Sequence, residues 1–244
     1  KGRKSPKWIP FKGQTIKLKS DSISYDGKNF RFWKTLNIKG KIKTGSFNCD
    51  SLGRWFVNLT YEAELKQSAG IGEIGIDLGL KTTATCSDGK ELKLKELDWI
   101  DRKIAKEQRA RNFNRAKVLH IKKTNIRKDK INKFALGLVR TNNLIAIGNI
   151  SGFTKGNTAK SRYQNSWSIF RNRLEFKCLE YGVTFKEVSE SFTTQTCHVC
   201  GSIEGPKGFK GLSVRNWICS CGAGLNRDIN AGINILFRAK YLAS

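Results

Sequence analysis

The feature that most constrains this chain is one carboxylate set inside an apolar strand. Gly72-Glu73-Ile74-Gly75-Ile76-Asp77-Leu78-Gly79-Leu80 reads as a β run. Lys81-Thr82-Thr83-Ala84-Thr85-Cys86-Ser87-Asp88-Gly89 carries it through a glycine bend into a second run. An Asp-Gly pair between apolar runs marks a hairpin. An unpaired ion on a buried strand costs several kcal/mol. Asp77 is therefore either paired or holding a metal, and its local sequence leaves both readings open.

The chain is long enough for one large domain or two modest ones. Its formal net charge is +26 and its pI about 10.0. A compact fold carrying that much charge repels itself unless an anion shares its surface, and nucleic acid is the usual partner. An anionic membrane is the alternative, but no apolar run is long enough to span a bilayer. No signal peptide pattern is visible, so a cytoplasmic, nucleoid-associated setting is expected. Seven cysteines are present, four of them in close pairs, which favours metal in a reducing compartment over disulfides. The chain opens at Lys1 and contains no methionine, the pattern of a piece of something longer.

Residues 1–68 read as short strands. Gln14-Thr15-Ile16-Lys17-Leu18-Lys19 alternates, Asp26-Gly27 makes a turn, Ser51-Leu52-Gly53 makes another, and Trp55–Tyr61 closes the set. Short strands with frequent turns suggest a small β-barrel. Lys17, Lys19, Lys39, Lys41 and Lys43 interleave with its apolar positions. They suit either solvated strand faces or a surface that tracks a nucleic-acid backbone, and the overall charge favours the second. Gln67-Ser68-Ala69-Gly70 is a small, polar linker. The Asp77 hairpin then gains a third run at Glu91–Leu94, making a three-stranded antiparallel meander.

The segment 98–142 predicts helix. Ile104, Val118, Ile121, Ile126, Ile131, Phe134, Leu138 and Val139 approximate an apolar stripe. The other faces carry thirteen basic residues from Arg102 to Lys133 with few acids among them, a pattern that suits phosphate better than solvent. Asn112-Phe113-Asn114 divides the segment into a helical hairpin. Leu144–Ile150 has strand length and returns to the sheet parallel to the Asp77 strand. Residues 151–165, with Lys155, Lys160 and Arg162, form a loop. Trp167, Phe170, Leu174, Cys178 and Leu179 repeat at helical spacing, with Gly182 as C-cap. Val183–Val188 is a further strand. Three strands, helix, strand, helix, strand is the order of a ribonuclease H-like sheet.

Cys197-His198-Val199-Cys200 and Cys219-Ser220-Cys221 lie about twenty residues apart in turn-like settings. Two close pairs at this separation are the ligand pattern of a zinc ribbon or knuckle, here a structural Zn²⁺ with no open position. The second pair is one residue tighter than usual. His198 stands between ligands and is not counted as one. The lobe between the pairs (Lys207, Phe209, Lys210, Arg215, Trp217) is basic and aromatic. Cys49, Cys86 and Cys178 read as buried thiols. After the ribbon, Asn226 can cap a helix with Ile229, Ile233 and Leu236 on one face. Asp228 falls in its first turn, where an acid commonly compensates the helix dipole.

Taken together, these stretches resemble a known family. Ile76-Asp77-Leu78-Gly79, the run Thr193-Thr194-Gln195-Thr196-Cys197-His198-Val199-Cys200-Gly201, the second cysteine pair and Arg227-Asp228-Ile229-Asn230-Ala231 occur in the order found in TnpB, the transposon-associated RNA-guided nuclease. The miniature type V CRISPR effectors are similar. The resemblance implies an α/β protein: a ribonuclease H-like (RuvC) core with an inserted zinc ribbon, preceded by a wedge-like β-barrel. The implied boundaries are 1–68 for the wedge, 69–192 for the first part of the core, 193–224 for the ribbon and 225–244 for the final helix.

The resemblance further implies DNA cutting at a site chosen by guide-RNA pairing, with guide RNA and target DNA as partners. Two Mg²⁺ ions are implied, held by an Asp, a Glu and an Asp. By motif, Asp77 takes the first role and Asp228 the last. The family's Glu normally ends the strand after the long helix, where this chain has Ile147-Gly148-Asn149. Either the ligand has moved to Glu190, at the end of the neighbouring strand, or the site is dead and the protein is a nuclease-inactive RNA-guided DNA binder. Glu187 is the weaker candidate because strand alternation points it to the other face. The acid often found two residues before Asp228 is also replaced, by Asn226.

Overall fold

The computed structural model describes residues 7–33, 38, 40–68, 70–79, 81–149, 166–211 and 213–241, without the side chains of residues 209 and 210. The expected loop at 151–165, Lys39, Ala69, Leu80, Ile150 and the Phe209 and Lys210 side chains of the ribbon lobe lie outside the described residues. The chain divides into two compact units: residues up to Glu64 with Glu107–Val118, and Leu65–Lys106 with Leu119 onward.

The first unit holds β1 (Trp8–Lys12), β2 (Ile16–Leu18), β3 (Ser22–Tyr25), β4 (Lys28–Arg31), β5 (Ile42–Cys49) and β6 (Trp55–Tyr61). Asp26 and Gly27 both take positive φ, +49° and +71°, as a two-residue hairpin turn between β3 and β4 requires. Where the short strands predict a barrel, the described residues pair as two antiparallel sheets, β1-β5-β6 and β2-β3-β4. A 3₁₀ turn at Gly13–Thr15 separates β1 from β2 and takes the chain from one sheet to the other. Buried Phe11, Ile16 and Ile23 join both sheets into one core, with the Phe47 ring 5.0 Å from Phe11 and 5.6 Å from Tyr25.

The second unit is built on five strands in the order β11-β10-β7-β8-β9. These are β7 (Gly72–Asp77), β8 (Ala84–Cys86), β9 (Glu91–Leu92), β10 (Asn142–Asn149) and β11 (Thr184–Ser189). The meander β7-β8-β9 is antiparallel, and β10 lies parallel to both β7 and β11, as the alternation of elements implies. Helices α1 (Asp98–Arg109) and α2 (Phe113–Thr141) break at the leading edge of the expected Asn112-Phe113-Asn114 divider, with Arg111 at φ +56° and Phe113 and Asn114 already helical. Leu97, Ile100 and Ile104 pack against Leu119 and Ile126 of α2. Val118, assigned to the apolar stripe, is exposed, because the segment is two helices and the stripe restarts. Helix α3 (Trp167–Tyr181) ends on Gly182 at φ +65°. It buries Phe170, Leu174 and Cys178 but leaves Leu179 exposed, contrary to the stripe read from sequence, since Leu179 lies one residue round from the buried Cys178. The linker before β7 is docked: the Ser68 hydroxyl donates to Val139 O at 2.6 Å.

Strand alternation decides the rest. Ile74, Ile76, Ile145 and Ile147 face α2 and α3. The intervening Ala146 and Val188 pack with Ile235 and Ala239 of the last helix, α4 (Arg227–Tyr241). A Cβ on Gly75 would lie 2.7 Å from Leu236 N, so the glycine admits α4 against the sheet. That approach turns Ala231, Gly232, Ile235 and Ala239 inward. Ile229, Ile233 and Leu236, expected on one face, are half-buried beside this inward line. Small residues and Ile235 together mark the contact.

Candidate metal centres

Asp77 ends β7 and is buried at 7% exposure, on the sheet face that packs α4. Burial first, then the charges of Glu190 and Asp228, push its carboxyl well above the usual carboxylate range; Arg227 and Arg215 oppose them. Three acids from positions 77, 190 and 228 thus share one electrostatic neighbourhood. They arrive from a strand end, a loop and a helix N-terminus.

The register explains why Glu190 joins them. Ile147 pairs with Ile76, so Gly148 comes level with Asp77, and Gly148 pairs with Val188 on its other side. Positions 77, 148, 188 and 190 share a face under the period-two alternation of strands. A Cβ built on Gly148 would lie 2.7 Å from Glu190 Cδ and closer still to Cγ and Oε1. The Glu190 carboxyl therefore fills the space that a side chain at 148 would need. Its Oε1 is buried with no hydrogen-bond partner among the described residues, and burial pushes its pKa up to about 7. Glu187, on the opposite face, pairs with Arg171 of α3.

Asn226 caps α4 as expected, its Oδ1 accepting from the backbone N–H of Asp228 at 3.1 Å and of Ile229 at 3.2 Å. Asp228 lies in the first turn. Arg215 Nη1 donates to both of its carboxylate oxygens, at 2.9 and 2.8 Å. Sequence reading placed Arg215 in a basic lobe but gave it no partner. The signal available was a lone arginine among the ribbon residues that precede the acid.

The four paired cysteines come together: Cys197, Cys200, Cys219 and Cys221 place all their sulfurs within 4.8 Å of one another. Cys197 and Cys221 sulfurs are 3.9 Å apart, and those of Cys200 and Cys219 3.6 Å. A tetrahedral site with metal–sulfur bonds of about 2.3 Å has edges of about 3.8 Å. The set fits such an ion. Ser202 beside Cys200 pulls that thiol down to about 6, while burial and the neighbouring cysteines push Cys221 up to about 12. His198 is not in the group; its ring Nδ1 lies 2.9 Å from Asn230 Oδ1. Among the described residues, no set of carboxylates is gathered as tightly as these sulfurs. Cys86 and Cys178 are buried thiols pushed up to about 12, while Cys49, expected to match them, is only half-buried.

Arg102, Lys106, Arg109, Lys117 and Lys128 are exposed on α1 and α2, and Arg111 in the turn between them. Acids temper this surface more than the sequence suggested. Lys123 pairs with Asp101, Lys130 with Glu96 at 2.5 Å, Lys133 with Asp129 at 2.8 Å and Arg115 with Glu107 at 3.2 Å. No described helix is long and apolar enough to cross a membrane.

With this geometry in place, the relatives can be compared. The family model described as Cas12f1-like, TNB domain matches residues 167–235, the stretch from α3 through the ribbon into α4. A Streptomyces pristinaespiralis protein named "Putative RNA-guided DNA endonuclease" is 32% identical, over 85% of this chain and 56% of its own length. "Putative RNA-guided DNA endonuclease InsQ" of Escherichia coli strain K12 is 25% identical, over 84% of this chain and 59% of its own. The chain thus spans rather more than half the length of these relatives. A solved CRISPR-Cas12f ternary complex superposes with a TM-score of 0.55 at 20% identity, covering 81% of this chain and 46% of that one. A Cas12f1–sgRNA–target DNA complex gives 0.54 at 19% identity, over 94% and 66%. At that identity the structures establish a shared mixed α/β fold. By its match across α3, the paired cysteines and α4, and by these two relatives, this chain is similar to proteins named as putative RNA-guided DNA endonucleases.

Proposed function

We propose that the chain carries the nuclease centre of a TnpB-like RNA-guided DNA endonuclease. In this reading the five-stranded sheet is a ribonuclease H-like core. Asp77, Glu190 and Asp228 hold two Mg²⁺ ions, and Cys197, Cys200, Cys219 and Cys221 hold a structural Zn²⁺. Guide RNA and target DNA are the partners, and sequence choice falls to base pairing.

The single observation that carries the reading is the Glu190 carboxyl in the space vacated at Gly148, on the Asp77 face. A buried carboxylate oxygen without a partner beside two further acids is a costly arrangement for a metal-free protein. It is an ordinary one for hard oxygen donors around Mg²⁺. When bound, paired cations stabilise the attacking and leaving oxygens of an in-line phosphodiester displacement. The chain's own residues fix the site. The strand end aims Asp77, the α4 cap sets Asp228 in the first turn, and Arg215 neutralises Asp228 in the metal-free protein. The exposed Arg and Lys residues of α1 and α2 suit nucleic-acid phosphates.

The test is guided cleavage of a matched DNA by the protein loaded with its RNA. Asp77→Ala is expected to abolish product while guide-dependent DNA binding persists; cleavage equal to the parent rejects the assignment. A second reading, guided binding without cutting, draws on Arg215, which engages both oxygens of Asp228. It requires that Mn²⁺ binding by the parent does not depend on Asp77.

A further inference from the structure

Glu190 stands beyond the last residue of β11, so sheet pairing does not hold it. In a relative whose ligand ends a strand, the ladder itself would aim the carboxylate. Here Glu190 opens a loop that turns back at Phe192, whose φ of +60° a bulky residue rarely adopts. Such a backbone persists only where its surroundings over-determine it.

The surroundings come from one face of α4. Asn230, Asn234 and Arg238 recur at four-residue spacing, which stacks side chains along a helix. The Asn234 amide donates to Thr193 O at 2.8 Å and Thr196 O at 2.7 Å. The Asn230 amide donates to the same two carbonyls, at 3.2 and 2.8 Å. Arg238 Nη1 donates to Ser189 O at 2.7 Å. Both asparagines are buried, at 1% and 8% exposure. With its NH₂ committed to carbonyls, Asn230 turns Oδ1 to the backbone N–H and ring Nδ1 of His198, which therefore carries its proton on Nδ1. Thr193 closes the loop on Glu190, its backbone N–H and hydroxyl both donating to Glu190 O, at 3.1 and 2.9 Å.

We infer that Asn230, Asn234 and Arg238 are positioning residues, a polar ladder through which the helix bearing Asp228 also holds the loop bearing Glu190. This inference rests on the metal-site reading above and adds how a carboxylate outside the sheet is kept in register with Asp77. The ladder has the second effect of tying the first cysteine pair, through His198, to the same helix.

The test is Mn²⁺ affinity of the folded, zinc-loaded chain, measured by titration calorimetry, in a double-mutant cycle. Glu190→Ala weakens binding, and Asn234→Ala weakens it by about tenfold, the usual scale for groups that orient a metal ligand. In the Glu190→Ala background Asn234→Ala has no further effect, because it acts through that carboxyl. A general loss of stability would instead lower the melting temperature and leave affinity in the folded state unchanged. Arg238→Ala, at the ladder's half-exposed end, keeps the test open should Asn234→Ala not fold, with a few-fold loss expected. Parent-like affinity in the ladder variants, with Glu190→Ala still impaired, overturns the ladder and leaves the metal site standing. Parent-like affinity in Glu190→Ala overturns both.

Discussion

The two candidate metal centres lie in the same structural unit and were built by opposite routes. The cysteine cluster draws its ligands from two short turns, so sequence spacing alone announced it. The three acids come one each from β7, the loop after β11 and the start of α4, and the sheet register with the packing of α4 brings them near one another. The contrast teaches that a locally built site declares its ligand set, whereas a site assembled by a sheet declares only its candidates. It also predicts different physical behaviour. Metal binding at four cysteines is coupled to folding, because the unfolded chain offers no preformed site. The carboxylates can wait without theirs, because Arg215 balances Asp228 and burial keeps Glu190 partly protonated at neutral pH.

The largest expected effect separates the two centres outright. Cys197→Ser or Cys219→Ser should unfold the ribbon, seen as loss of the near-ultraviolet signal of Trp217 and loss of one zinc per chain by mass spectrometry. Mg²⁺ withdrawal should leave both signals intact. Collapse of the fold on Mg²⁺ withdrawal would break the contrast.

Next comes Asp77→Asn, which should abolish Mn²⁺ binding while raising the melting temperature of the metal-free protein. Replacing the carboxyl by an amide removes first the cost of a buried acid and then the repulsion from Glu190 and Asp228. A lower melting temperature would mean that Asp77 is neutralised by a partner instead.

The pH dependence of metal-free stability is smaller and has a definite sign. Glu190 rises from 4.5 to about 7 on folding, so the native state binds the extra proton and stability falls as pH climbs through that window. The shift corresponds to roughly 3 kcal/mol at most. The difference in denaturation free energy between the parent and Glu190→Gln should therefore grow from pH 4.5 to 7, and Mg²⁺ should reverse it. A flat difference removes the buried carboxyl from the account.

Much of this was legible in advance. The element order, the hairpin break at Asn112, the Asn226 cap and the cysteine quartet all follow from local chemistry that the sequence displays. The sheet pairing of the first unit is not legible, because strand length and turns do not reveal which strands pair. On α4 the large residues of the apolar face are legible, but the close approach at Gly75 that buries Ala231, Gly232 and Ala239 beside them is not. Gly148 was visible as a missing ligand, but its use as room for Glu190 depends on a cross-strand register that no spacing encodes. The Asn230, Asn234 and Arg238 spacing was on the page, with nothing to show what it held until the Thr193 and Thr196 carbonyls were in place.

A subtler change isolates the vacated space. Gly148→Ala puts a Cβ where the Glu190 side chain lies, and that side chain must swing away from the Asp77 face. Weaker Mn²⁺ binding with zinc content unchanged is the expected result.

The most direct measurement is the exchange of the two positions. Mn²⁺ affinity and guided cleavage should both be lost in Glu190→Ala and in Gly148→Glu. They should return in the double variant Gly148→Glu with Glu190→Gly, where the carboxylate stands on the strand and its space is free. Parent-like binding and cutting by Glu190→Ala alone would contradict the claim that this carboxyl has taken over the vacated place.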